Sequence, residues 1–180
     1  SSDVCSSDLI IKKYGTLPSK GDEGGIALSV NDVTEPLLLL KEVVDTLGYT
    51  DKVTFALDVA ASSFYDGQKK QYVFMGKEWS RDDMIELYVT ICTNFPILSI
   101  EDPFDEEDYE GFSILQERLP HVKIIGDDLT VTNKERLQKA IDMKSITGII
   151  IKPNQIGTLS ETLQTMKLAR TYDIDCIISH

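Results

Sequence analysis

Basic side chains are scarce in this 180-residue chain: 18 Lys and Arg stand against 30 Asp and Glu, a net charge of −12. That balance argues against nucleic acid as a partner, because binding a polyphosphate needs a basic surface. Cysteine is also sparse. Cys5, Cys92 and Cys176 are odd in number and show no metal-ligand spacing, which predicts free thiols in a reducing, cytoplasmic compartment and neither a disulfide frame nor a zinc site. No apolar stretch approaches the roughly 20 residues of a membrane-spanning helix, so a soluble chain with no membrane span is expected. A phosphate-cradling glycine fingerprint is missing too. Residues 21–25, Gly-Asp-Glu-Gly-Gly, are glycine-rich but have the spacing of neither the dinucleotide loop nor the P-loop. What is present is an ordinary globular composition, in a length that can bury a core as one domain.

Two parts of the chain stand apart from fold reasoning. Residues 1–9 repeat Ser-Ser-Asp and carry no periodicity; they resemble the translation of a sequencing adapter and read as a non-native or disordered leader, with the domain proper at residues 10–180. At the other end, His180 follows an apolar run with no helix to cover it. The expectation is a barrel domain truncated at both ends.

Between short apolar runs lie segments of helical period with recognisable starts. Asp32 with Glu35, Ser80 with Asp83, Thr132 with Glu135 and Thr158 with Glu161 read as capping pairs. The expected buried faces are Leu37, Leu40, Val44 and Leu47 in the first helix and Met84, Tyr88 and Ile91 in the second. A third, shorter helix carries Phe112, Leu115 and Leu119, a fourth Leu137, Ala140 and Ile141, and the last Leu159, Leu163 and Met166. Strand and helix therefore alternate, which predicts a parallel sheet covered by helices. The stretch from Asp66 to Trp79, with an Asp-Gly turn and the alternating Tyr72-Val-Phe-Met, predicts a small hairpin on the loop face.

The apolar runs all end in ionisable groups. The runs at 54–58, 97–101 and 122–127 end in Asp58, Glu101 and Asp127, the run at 149–152 in Lys152, and the run at 176–180 in His180. A doubly wound sheet would place its ligand at one switch point, whereas ligands from several consecutive strands point to an α/β barrel of the TIM type, whose site lies at the C-terminal strand ends. Three carboxylates converging there would repel one another unless a hard cation lay between them, and Mg2+ fits a set that leaves room for water and substrate. Lys152, held extended by Pro153, is a candidate general base if nearby dications lower its pKa, and otherwise a surface lysine paired with an acid. Asp128, next to Asp127, should point to the other side of the sheet or into the loop and be structural. Asp22 and Glu23 lie either in a solvated turn or on a mobile loop that brings an acid over substrate. His180 is either a satisfied strand-end histidine or a contact to an anionic group.

These residues carry a resemblance to a known family. Gly-Asp-Glu-Gly-Gly at 21–25, Ala-Leu-Asp-Val-Ala-Ala at 56–61, Ser-Ile-Glu-Asp-Pro-Phe at 99–104, Gly-Asp-Asp-Leu-Thr-Val-Thr-Asn at 126–133, Ile-Lys-Pro-Asn-Gln-Ile-Gly-Thr at 151–158 and Ile-Ser-His at 178–180 resemble, in order and spacing, the signature blocks of enolase (phosphopyruvate hydratase). The resemblance runs from about residue 14 to 180. It implies part of the enolase C-terminal barrel, and Mg2+-dependent conversion of 2-phosphoglycerate to phosphoenolpyruvate by the full-length protein. By motif, Asp58, Glu101 and Asp127 would hold Mg2+, Lys152 would be the general base, Glu23 the general acid, and His180 a substrate contact. A homo-oligomer is expected of the full-length protein, and no turnover of this chain alone. Ser63 and Leu28-Ser29 depart from the family's usual residues without touching a proposed ligand. Two alternatives stay open: another superfamily member acting on a different carboxylate, though such proteins lack the Gly-Asp-Glu-Gly-Gly block, and a non-catalytic enolase-like scaffold or surface-binding protein.

Overall fold

The computed structural model describes residues 30–180 and two short strands before them, at 19–20 and 26–27. The leader at 1–9, the glycine loop at 21–25 with Asp22 and Glu23, and Leu28-Ser29 lie outside the described residues. The chain divides into two compact units, Ser1–Val53 and Thr54–His180.

In the first unit, β1 (Ser19–Lys20) pairs antiparallel with β2 (Ile26–Ala27), and α1 spans Glu35–Thr46. The cap differs from the expected one. Thr34 is the N-cap, and the Asp32 carboxylate instead accepts the Thr34 N–H and hydroxyl in the preceding turn. Pro36, which has no N–H to donate, sits in the first turn, where none is needed. The buried side chains are Leu37, Leu39 and Val43, while Leu40 and Leu47 are exposed, so the inward face is rotated from the predicted one.

The second unit is built on a five-stranded sheet of β3 (Phe55–Asp58), β7 (Ile97–Glu101), β8 (Lys123–Gly126), β9 (Gly148–Ile151) and β10 (Asp175–Ile178). Every pairing is parallel, and the spatial order β3-β7-β8-β9-β10 is the order along the chain. This is a partial (β/α) barrel, open between β3 and β10 among the described residues. β9 is buried at all four positions, as an apolar strand covered on both faces should be.

Each crossover uses a helix: α2 (Arg81–Asn94), α3 (Tyr109–Arg118), α4 (Lys134–Asp142) and α6 (Leu159–Thr171), with α5 a single turn at Pro153–Ile156. The Ser80–Asp83 capping box is complete, each side chain accepting the other residue's N–H, and Thr158 caps α6 through the Glu161 N–H. At α4 the expectation fails. The cap is Asn133, whose side chain accepts from Glu135 and Arg136, because Val131 and Thr132 both adopt positive φ and delay the helix. On α6, Leu159 and Leu163 are 66% and 54% exposed. The inward face is Thr162, Thr165 and Ala169, with the Thr165 hydroxyl bonded to the Thr132 carbonyl at 2.8 Å.

The predicted hairpin is a three-stranded antiparallel meander of β4 (Tyr65–Asp66), β5 (Gln71–Phe74) and β6 (Lys77–Trp79). The Asp66 carboxylate closes its first turn by accepting the Gln68 and Lys69 N–H groups. It lies on the loop face, where the Tyr72 hydroxyl accepts the Asp105 N–H at 3.0 Å. Phe104 is fully buried among the rings of Tyr72, Tyr88 and Phe112, and the Tyr88 hydroxyl donates to the Pro103 carbonyl at 2.7 Å. These contacts fix the loop that leaves β7.

Candidate active site

The C-terminal ends of β3, β7, β8 and β9 stand side by side. Asp58 is opposite Glu101 in the strand register, Glu101 is opposite Ile125, and Asp127 and Lys152 each follow directly on the next two strands. Lys152 Nζ donates to Asp127 Oδ2 at 2.5 Å. Burial pushes Glu101 up to about 7, and the charges of Asp58, Asp127 and Asp102 push it the same way. Lys152 is held above the ordinary lysine value, first by its hydrogen bond to Asp127 and then by the surrounding acids. In this state it is a protonated counterion to the carboxylates.

Four of the six predicted site residues are thus brought together: Asp58, Glu101, Asp127 and Lys152. His180 is exposed just past the end of β10, the neighbour of the strand that leads into Lys152. Glu23 lies outside the described residues.

Several residues around this cluster are given no part in the site by the sequence. Asp102, directly after Glu101, is buried and accepts the backbone N–H groups of Asp127 at 2.9 Å and Asp128 at 2.8 Å. Thr132, read there as a helix cap, accepts the Lys152 N–H at 2.8 Å through its hydroxyl. Gln155 Nε2 reaches Asp127 Oδ1 at 3.5 Å. The sequence carries no local signal for Asp102: a residue before proline is ordinarily held extended, as Lys152 is before Pro153, whereas Asp102 takes positive φ before Pro103. Thr132 and Gln155 carry none either.

Backbone strain gathers in the same place. Ala60, Asp102, Val131 and Thr132 all have positive φ, and they follow the ends of β3, β7 and β8. Left-handed backbone is costly for L-residues with a Cβ and persists where the surroundings enforce it. Here it turns the chain sharply at each strand end and leaves the acids at the rim.

Asp102, Asp127 and Asp128 each offer a carboxylate oxygen, all within 4.8 Å of one another. This second acidic set shares Asp127 with the first. Both Asp102 oxygens already accept N–H groups, and among the described residues Asp58, Glu101 and Asp127 do not form a group at this spacing.

The whole cluster falls inside a match, over residues 5–180, to the family described as enolase, C-terminal TIM barrel domain. The chain belongs to the enolase C-terminal barrel family. It is similar to the enolase of Methanococcus aeolicus, 48% identical over 173 residues, which cover 96% of this chain and 41% of that protein. It is likewise similar to the enolases of Methanocaldococcus jannaschii, 45% identical over 175 residues (96% of this chain, 40% of that protein), and Thermococcus kodakarensis, 44% identical over 176 residues (96% and 41%). The chain spans about two fifths of the length of these curated relatives. Family membership agrees with the geometry: an acidic cluster able to hold a cation, with an amine beside it, at the strand ends of a barrel. No described helix is long and apolar enough to cross a membrane.

Proposed function

We propose that this chain is part of an enolase, and that the complete protein dehydrates 2-phosphoglycerate to phosphoenolpyruvate in glycolysis. The observation that carries the reading is the convergence of Asp58, Glu101, Asp127 and Lys152 at the ends of four adjacent parallel strands. Burial, helped by the neighbouring acids, pushes Glu101 up to about 7; a site of this kind suits a hard divalent cation, and Mg2+ is our choice of ion. Asp58, Glu101 and Asp127 would hold Mg2+, whose charge, when bound, offsets the negative charge that builds as a proton beside a carboxylate is removed. A lysine base working beside magnesium is a known pattern of the enolase superfamily.

The remaining steps belong to the protein's own side chains. Lys152, once its Nζ has left Asp127 and given one proton to solvent, is a neutral amine and takes the proton from the carbon next to the substrate carboxylate. Glu23 gives a proton to the departing hydroxyl, which leaves as water. His180 contacts the anionic substrate from the next strand. The roles of Glu23 and His180 rest on motif alone. We also place the protein in the cytoplasm, where the free thiols of Cys92 and Cys176 are at home, and expect the full-length protein to be a homo-oligomer that binds no nucleic acid and has no membrane span.

The test is the enolpyruvate ultraviolet absorbance formed from 2-phosphoglycerate by the full-length protein. It should require Mg2+ and vanish with a chelator. Lys152→Ala should lower the rate about 10²–10⁴-fold, the range for a general base; an unchanged rate means Lys152 is not the base. A full-length protein that folds, binds Mg2+ and shows no turnover would favour the scaffold alternative.

A further inference from the structure

We propose that Asp102 is a positioning residue for the cation site: its side chain and backbone tie three strand ends together so that Asp58, Glu101 and Asp127 can share one ion. The inference rests on the reading that those three acids hold the cation.

Asp102 is 4% exposed, and a carboxylate buried that deeply persists only where its oxygens are engaged. Its two oxygens accept two consecutive backbone N–H groups, those of Asp127 and Asp128. Successive N–H groups converging on one anion form the kind of nest that binds phosphates elsewhere; here the anion is a side chain from the neighbouring strand. The backbone of Asp102 is engaged on both sides as well. Its N–H donates to the Ile125 carbonyl at 3.0 Å, and its carbonyl accepts the Ala61 N–H at 3.1 Å. One residue therefore bonds β8 before its end, the turn after β8, and the segment after β3.

The positive φ of Asp102 makes this possible. With that turn directly after Glu101, the chain leaves β7 at once, and the Asp102 side chain reaches across to the β8 turn. Aspartate is one of the few residues with a side chain that tolerate such backbone. Asp127 is one residue from the end of β8, so its carboxylate is aimed by the same turn that Asp102 holds. With both oxygens used by N–H donors, Asp102 acts through Asp127 and not as a ligand itself.

Asp102→Asn keeps the shape and the tolerance for positive φ but replaces one acceptor with an N–H2 that faces a donor. The full-length protein, wild type and variant, is titrated with Mg2+ by calorimetry without substrate, and its thermal unfolding is recorded in chelator. Asp102→Asn should weaken Mg2+ binding by about 10–100-fold, the usual effect of losing a partner that orients a ligand. Leu137→Ala, at a fully buried core position on α4 that makes none of the hydrogen bonds to Asp102, Asp127 or Lys152, should lower thermal stability at least as much and leave Mg2+ affinity unchanged. Unchanged Mg2+ affinity in Asp102→Asn overturns the proposal. So does a loss as complete as that of Asp127→Asn, which would make Asp102 a ligand, or an equal weakening in Leu137→Ala. If Asp102→Asn does not fold, Asp102→Gly, which suits the positive φ, goes through the same titration with the same expected weakening. The cation-site reading fails separately, through Asp127→Asn: full affinity in that variant, or no Mg2+ binding by the wild type, sinks the site and this inference together.

Discussion

Lys152 donates to Asp127 at 2.5 Å and so competes with any cation for that carboxylate. A part-buried hydrogen bond between charged groups contributes about 1.5–3 kcal/mol. Lys152→Met should therefore tighten Mg2+ binding, by about tenfold or more on the same scale, even as it removes the base. Calorimetric titration checks this, and weaker Mg2+ binding in the variant would mean that Lys152 orients Asp127 more than it opposes the ion. Cys92 shows burial acting on a neutral group. Desolvation pushes its thiol from 9.0 up to about 11. The native state thus holds the proton more tightly than the unfolded chain, so this contribution to stability is complete below pH 9 and is lost as pH rises from 9 towards 11. Iodoacetamide should label native Cys92 at pH 8 at least about tenfold more slowly than in the unfolded chain, because only the thiolate reacts. Equal rates would mean that the α2 surface opens readily around it.

At the scale of single elements, α3 depends on a glycine that helix propensity alone would replace. Gly111 donates its N–H to the N-cap Asp108, and a Cβ there would stand 2.6 Å from Asp108 Oδ2. Asp108 cannot step aside, because Arg81 holds both of its oxygens, at 2.8 and 2.7 Å. Gly111→Ala gains about 1 kcal/mol of propensity but disrupts a cap contributing about 0.5–2 kcal/mol and drives a clash. A net loss of about 1 kcal/mol in urea unfolding is expected, and a smaller one in an Arg81→Ala background, where Asp108 can move. A stabilised Gly111→Ala would show that the cap yields freely.

How far such elements could be read from the chain depended on whether the signal was local. The Ser80–Asp83 box and the Thr158 cap were readable because each is completed within four residues. The acids at 58, 101 and 127 and Lys152 were readable because an apolar run that stops at a charge marks a strand end. The α4 start was not, because Val131 and Thr132 turn left-handed and hand the cap to Asn133, while Thr132 serves the Lys152 backbone twenty residues on. The α6 face misled because Thr162 and Thr165 go inward on the strength of hydrogen bonds, Thr165 to the Thr132 carbonyl on another turn. Asp102 was in view in the motif, but its clamp joins partners 25 and 26 residues away.

For the molecule as a whole, the open sheet has consequences in solution. Among the described residues β10 is an edge strand, on which Ile178 is 63% exposed, and Leu159 and Leu163 add apolar surface on α6. Unpaired edges beside exposed apolar side chains recruit other strands. The 180-residue chain should self-associate in a concentration-dependent way by light scattering, and Ile178→Lys should raise the monomer fraction. A monodisperse monomer at high concentration, with no change in the variant, would show that this edge is already protected.

The strand order carries a last consequence, for the timing of synthesis. Because neighbours in the sheet are neighbours in the chain, Asp58, Glu101 and Asp127 leave the ribosome before Lys152, whereas a domain generally folds as a unit. The amine that pairs with Asp127 is therefore the last of the four groups to be made, and the cluster it joins forms only once it has arrived.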